Sequence, residues 1–296
     1  MICTSLLVFS PFLFGVPGGF GNTACVDASL SEWALSQQDE AEAVQKEFVS
    51  AVKSRDFLKE DDVALKAIAL VDRMVQLYQG NAKRLTEINE DLELGEGDSR
   101  ALKKEGKELE KVQESLAKTV FLAFKYRKRP TERRNLDLWK ASAFAFGQMG
   151  SHGSVFLWKA FDDKRFNKDV EFRALCVEQV GYTLDYEQAE ALLDFLDYKD
   201  EEVIAAAGRA LSQFEDAPGS IRKECVGKIV KQLESYHNAA SELEDNNSKR
   251  IYRKVREPLT TALRNLTGES FSDPLDWTRW WNKNKKNRSA WEDRDS

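Results

Sequence analysis

The stretch Val203-Ile-Ala-Ala-Ala-Gly-Arg-Ala-Leu-Ser-Gln-Phe214 decides the fold. It is apolar at its first, ninth and twelfth positions and small or apolar at the fifth, eighth and tenth. That is the 3.6-residue period of a helix, not the alternation of a strand. Ala207, Gly208 and Ala210 keep one face low, and two helices approach to about 8–10 Å only where the facing side chains are short. A helix of this kind is built to lie against another helix.

The same template recurs along the chain. From Leu138 it is complete, with Ser142, Ala145, Phe146, Gly147 and Met149 in place; from Val255 it fails only at Arg264. From Phe172 it carries Cys176, Val180 and Gly181 but breaks at Gln179 and Thr183, and a looser copy starts at Val63. The starts at 138, 172, 203 and 255 lie 34, 31 and 52 residues apart, and the long interval holds a polar insertion at 237–250. Each copy follows another helical segment, at 116–126, 155–162, 189–196 and 221–233. Gly150, Asp169, Asp200 and Pro218-Gly219 punctuate the boundaries as caps and breakers do. Helix pairs that repeat at this period bury their faces only by stacking, which predicts a solenoid.

Upstream, the period continues through Val63, Ala67, Leu70, Val71, Met74, Leu77 and Tyr78, and again through Leu102, Leu109, Val112, Leu116, Val120 and Phe124. Between the two runs, Gly95 and Gly97 predict the turn of a long helical hairpin. Asn89, Asp91 and Glu93 alternate there as calcium ligands do, but Leu94 stands where such a loop requires Gly, so the segment reads as a solvated acidic turn. Residues 125–134 hold six bases around Pro130 and read as an exposed link between helices.

The apolar run 2–16 has fifteen residues, short of the about 20 that span a membrane. It reads as the core of a signal peptide, with Val26 and Ala28 forming a cleavage site before Ser29, although no Lys or Arg precedes it. Cys25 after Thr23 and Ala24 offers a lipid-anchor alternative, against which Asn22 replaces the expected branched aliphatic residue. Past that segment only Cys176 and Cys225 remain, two repeat layers apart. Two layers amount to roughly 20 Å, beyond disulfide reach, so unpaired buried thiols are expected.

Chemistry has little material in this chain. It has 296 residues, a net charge of −6 and two histidines, so His-rich metal sites and His relays are nearly excluded. His152 lies in Gly150-Ser151-His152-Gly153-Ser154, which is not a Gly-x-Ser-x-Gly nucleophile elbow and reads as a turn. His237 opens the polar insertion and reads as exposed. No phosphate-binding glycine loop or paired-Cys motif is present. The expected sets of catalytic, cofactor-binding and metal-binding residues are all empty.

Val255-Arg256 with Ala262-Leu263, Phe172-Arg173 with Val180-Gly181, and Val203 with Ala207 and Ala210-Leu211 resemble HEAT repeats, whose second helix reads Val-Arg, a small residue, then Ala-Leu-Gly. The resemblance covers about residues 116–266, with Trp139 and Ile204 in place of the family's Arg. The segment Leu266-Thr267-Gly268, Phe271, Asp273, Trp277, Trp280, Trp281 is similar to the terminus of exported HEAT-type proteins of the kind abundant in planctomycetes. The resemblance implies a fold and a binding role and carries over no catalytic residue.

Trp277, Trp280 and Trp281 share a helix face after Asp273-Pro274. They read first as a cap on the last repeat. With five bases and no acid between 277 and 291, they read second as a site for an anionic polymer or surface. Overall acidity argues against nucleic acid. Arg173, Arg209 and Arg256 on the second helices are the expected polar groups of a concave binding face. Pro258 interrupts a repeat helix, with no functional account.

The sequence thus predicts an all-α chain. Residues 1–28 form a signal peptide, 29–115 an N-terminal helical extension, 116–268 HEAT-like repeats, and 269–296 a Trp-rich cap with a basic tail. Its expected role is an exported, non-catalytic scaffold for a protein partner. The competing readings are an enzyme on the same scaffold, lyase- or glycosylase-like, and a structural envelope protein.

Overall fold

The hydrophobic periods become helices almost throughout. The computed structural model describes residues 23–242 and 245–294, with side chains from residue 32, and every regular element among them is helical. The helices are α1 Thr23–Lys53, α2 Asp61–Leu94, α3 Ser99–Tyr126, α4 Arg133–Gly147, α5 Gly150–Phe161 and α6 Val170–Tyr182. They continue as α7 Ala189–Asp194, α8 Glu201–Leu211, α9 Gly219–Ala240, α10 Asn246–Thr267 and α11 Pro274–Asn284. Most of the expected signal segment, and the Cys25 side chain, lie outside the described residues.

Short polar residues start these helices. Asp98, Asp169, Asp245 and Asp273 each accept a hydrogen bond from a backbone N–H of the first turn that lacks a helical partner. Left-handed glycines stop two of them, Gly95 after α2 and Gly268 after α10. Asp200 stands at the N-cap of α8 without a side-chain cap bond. The acids that follow it instead reach the next helix: Glu201 pairs with Arg250, and Glu202 with Lys254, both in α10.

The helices contact one another in series. The template copies fall in α4, α6, α8 and α10, where α4 packs on α6, α6 on α8 and α8 on α10, with α2 against α4 at the near end. On the other side α3 packs on α5, α7 on α9 and α9 on α11. Glycines permit the closest of these approaches. A Cβ on Gly181 would overlap the backbone of Ala210 in α8, and one on Gly208 would stand 3.1 Å from Pro258 and Leu259 in α10. Pro258 thus has a packing role: its ring fills the space that Gly208 leaves.

Two expectations need correction. Residues 150–154 are not a turn but the first turn of α5, because Gly150, at φ +52°, reverses the chain within two residues of α4. Gly153 is required there, since any Cβ would overlap the Phe146 carbonyl. The insertion at 237–250 is largely helix: α9 runs to Ala240 and α10 begins at Asn246, with the His237 ring edge-on to Tyr252 at 5.5 Å. Residues 115 and 116 lie inside α3; the main buried cluster runs from Ala41 to Trp277, and a smaller one of Ile88, Leu102 and Leu109 fills the far end of the α2–α3 hairpin.

Candidate functional site

The three arginines expected on a concave face are each held by different groups of the chain itself. Arg173 is buried, with its guanidinium 4.1 Å from the centre of the Phe161 ring and a 2.7 Å hydrogen bond to the Tyr198 hydroxyl. Arg209 pairs with Glu178 of α6 at 2.7 Å. Arg256 is exposed and donates to the Ser272 carbonyl at 3.0 Å. Arg173 is therefore a core residue and not a free surface cation. The periodic reading failed there because its aromatic partners lie 12 and 25 residues away.

The tryptophans divide by depth. Trp277 is fully buried, edge-on to Phe271 at 4.8 Å. Trp280 is half-buried and donates to Glu269 at 3.2 Å. Trp281 covers Gly227 of α9, where an added Cβ would meet its ring at 2.7 Å. Both of the latter meet Trp291 edge-on at 5.9 Å. The chain after α11 then folds back over the end of the molecule. Asp293 accepts from the Gly219 N–H at 2.6 Å, and Arg294 donates to the carbonyls of Asn265 and Leu266.

Polar groups converge elsewhere, in an open groove of about 790 Å³ between α2, α3 and the start of α5. Ala82 and Leu85 line it beside the buried Tyr78. The Tyr78 hydroxyl lies 2.9 Å from His152 Nδ1, and its carbonyl accepts from Gln113 at 3.2 Å. Next to it the Gln79 amide donates to Gln148 at 3.1 Å, joining α2 to the end of α4. The rim from α3 carries Lys107 and Lys111 together with Glu110 and Glu114. The Glu114 carboxyl is held below the usual carboxylate range by its hydrogen bond to Lys118.

Burial pushes the Tyr78 hydroxyl up to about 12, so it stays protonated at neutral pH and serves the imidazole as a hydrogen-bond partner. A general acid or base works best with a pKa near the operating pH, and Tyr78 is far from that. The rim charges are of both signs and the walls are amides that donate and accept. Such a surface suits hydrogen bonding to a polar, largely uncharged face. Sequence reading missed this pair because Tyr78 and His152 are separated by 74 residues and each had a plain local explanation.

Cys176 and Cys225 are free and buried, as expected. Burial raises both thiols, Cys225 to about 12, which leaves them unreactive. Among the described residues no three His, Cys, Asp or Glu side chains cluster to hold a metal ion, and no helix is long and apolar enough to cross a membrane. No family model matches the chain, and neither a curated protein nor a solved structure matches it.

Proposed function

We propose that this chain is an exported, non-catalytic scaffold, folded as a HEAT-like solenoid, that holds a protein partner in the groove between α2, α3 and α5. The observation that carries the reading is the groove: an apolar floor, amide walls joined by the Gln79–Gln148 contact, and balanced charge on the rim. The serial contacts of α2, α4, α6, α8 and α10 support the solenoid, since each helix there finds its cover only in its neighbours.

Gln79 and Gln148 are both exposed, so replacing both with Arg adds bulk and charge at the groove without touching the core. Affinity capture from the native envelope fraction with the wild-type chain, and with the Gln79→Arg, Gln148→Arg double variant, tests the assignment. The expected outcome is a partner retained by the wild type and lost by the folded variant. Equal retention by both removes the groove as the binding surface.

A further inference from the structure

The six bases of residues 125–134 are not alone at their end of the molecule. The ends of α1, α3 and α5 and the starts of α2, α4 and α6 meet there, and the chain turns through residues 53–59, 125–134 and 163–168. Together these segments hold twelve of the chain's 44 bases and three of its 50 acids. Widened to take in the neighbouring acids, as 53–62, 125–137 and 162–169, they hold the same twelve bases against nine acids. The end is positive on either count, on a chain whose net charge is −6. Such a local reversal of sign draws anions.

Arginines tie the three segments into a row. Arg127 of the middle segment donates through Nη2 to the Ser54 carbonyl at 2.8 Å, and its own carbonyl accepts from Arg165 at 3.0 Å. Arg134 donates to the Leu58 carbonyl and pairs with Asp61. The middle segment thus lies between the other two. Arg127 is buried, its guanidinium 3.9 Å from the centre of the Phe57 ring, with no carboxylate partner and with Nε lacking a hydrogen bond. A buried cation without a counter-charge favours an anion placed nearby.

Most surface cations of the row are not matched by acids. Lys59 pairs with Asp56, Arg165 with Asp163 and Arg133 with Asp137. Lys53 and Arg55 on one side, Lys125, Lys128 and Arg129 in the middle, and Lys164 and Lys168 on the other side are all exposed. None of these seven has a carboxylate partner among the described residues.

We propose that this row binds a linear polyanion, a flexible chain of closely spaced phosphate or sulfate groups. Cations spread over three segments exceed what one small anion can contact, and a row matches a chain. Single-stranded nucleic acid binds by stacking bases on open aromatic faces. The Tyr126 ring, half-buried in the row, already has Lys53 at 4.8 Å and Lys125 at 5.9 Å from its centre. A flat anionic membrane also fits less well. No exposed large apolar side chain among the described residues lies in these segments. The neighbouring segment 194–202, which meets α5 where Tyr198 lies against Phe161, carries five acids and one base that a plane would touch as well. The row is separate from the groove between α2, α3 and α5.

The test is calorimetric titration of the full chain with sodium polyphosphate and, separately, with heparin fragments, at several salt concentrations. Two variants strip the row: Lys125→Gln, Lys128→Gln, Arg129→Gln in the middle, and Lys164→Gln, Lys168→Gln at the side. A control, Lys103→Gln, Lys104→Gln, removes two charges about 30 Å away along α3. All the replaced residues are exposed, and melting temperature and circular dichroism establish that each variant folds. The expected result is saturable binding of at least one polyanion. With five cations engaged, affinity falls about a hundredfold between about 50 and 200 mM salt, and each row variant binds about tenfold or more weakly while the control binds as the wild type. Polyphosphate binding alone identifies a phosphate chain as the source, heparin binding alone a sulfated one, and binding of both the shared chemistry. Binding of neither, equal binding by the row and control variants, or tighter binding of oligothymidylate or of phosphatidylglycerol vesicles than of either polyanion overturns the proposal.

Discussion

A methyl group is enough to test the contact between α6 and α8. Gly181 lies against the backbone of Ala210, which cannot rotate aside as a side chain can. Gly181→Ala should cost at least about 2 kcal/mol in denaturant unfolding. Gly80 sits inside α2 with no atom within 4 Å of its added Cβ, so Gly80→Ala should stabilise by about 0.5–1 kcal/mol. Equal effects at the two sites would contradict the close crossing. At this scale the sequence was partly legible. Gly181 and Gly208 fell on the face of the repeating template, so their smallness was visible. The fate of Arg173 was not, because a helical period says which face a residue shares, and says nothing of a Phe161 or Tyr198 brought in by another turn of the chain.

At the scale of elements, caps were legible and helix lengths were less so. Asp169 and Asp273 begin α6 and α11 as expected, since a short carboxylate before an apolar run meets a need fixed by the backbone. The α9–α10 junction was misread. The segment after Leu233 is polar, yet it is helical, held by Tyr236 donating to the Leu196 carbonyl at 2.6 Å and by the His237–Tyr252 contact. Asp245 starts α10 there, and its carboxyl is held below the usual range by the Ser248 hydroxyl, then by the backbone N–H of Ser248. A lowered folded-state value adds stability that is present above the ordinary carboxylate pKa and is lost as pH falls through the folded value. Asp245→Ala should therefore melt below the wild type at neutral pH, with the gap closing in acid. A gap independent of pH in parallel thermal scans would contradict the cap.

For the whole molecule, the all-helical class followed from period and punctuation alone. The interior was hard to divide by sequence, because the same 3.6-residue pattern serves the long hairpin and the helix pairs; the main core runs through both, and only a smaller cluster of Ile88, Leu102 and Leu109 stands apart at the far end of the hairpin. The groove at Tyr78 and His152 was hidden for the same reason: its walls come from α2, α3, α4 and α5, and no local pattern marks it. Serial packing has a mechanical consequence. Trp277, fully buried at the far end, should cost about 3–5 kcal/mol when cut to Ala, and amide exchange should quicken in α9, α10 and α11 while α1 to α3 stay protected. Equal quickening across all helices would contradict serial packing. The central claim, that the chain holds a partner in the groove, is tested most directly by amide hydrogen exchange on the chain with and without the partner it captures. The account predicts new protection at residues 77–85, 107–114 and 148–152. Protection confined to other helices, with these segments exchanging as in the free chain, would contradict it.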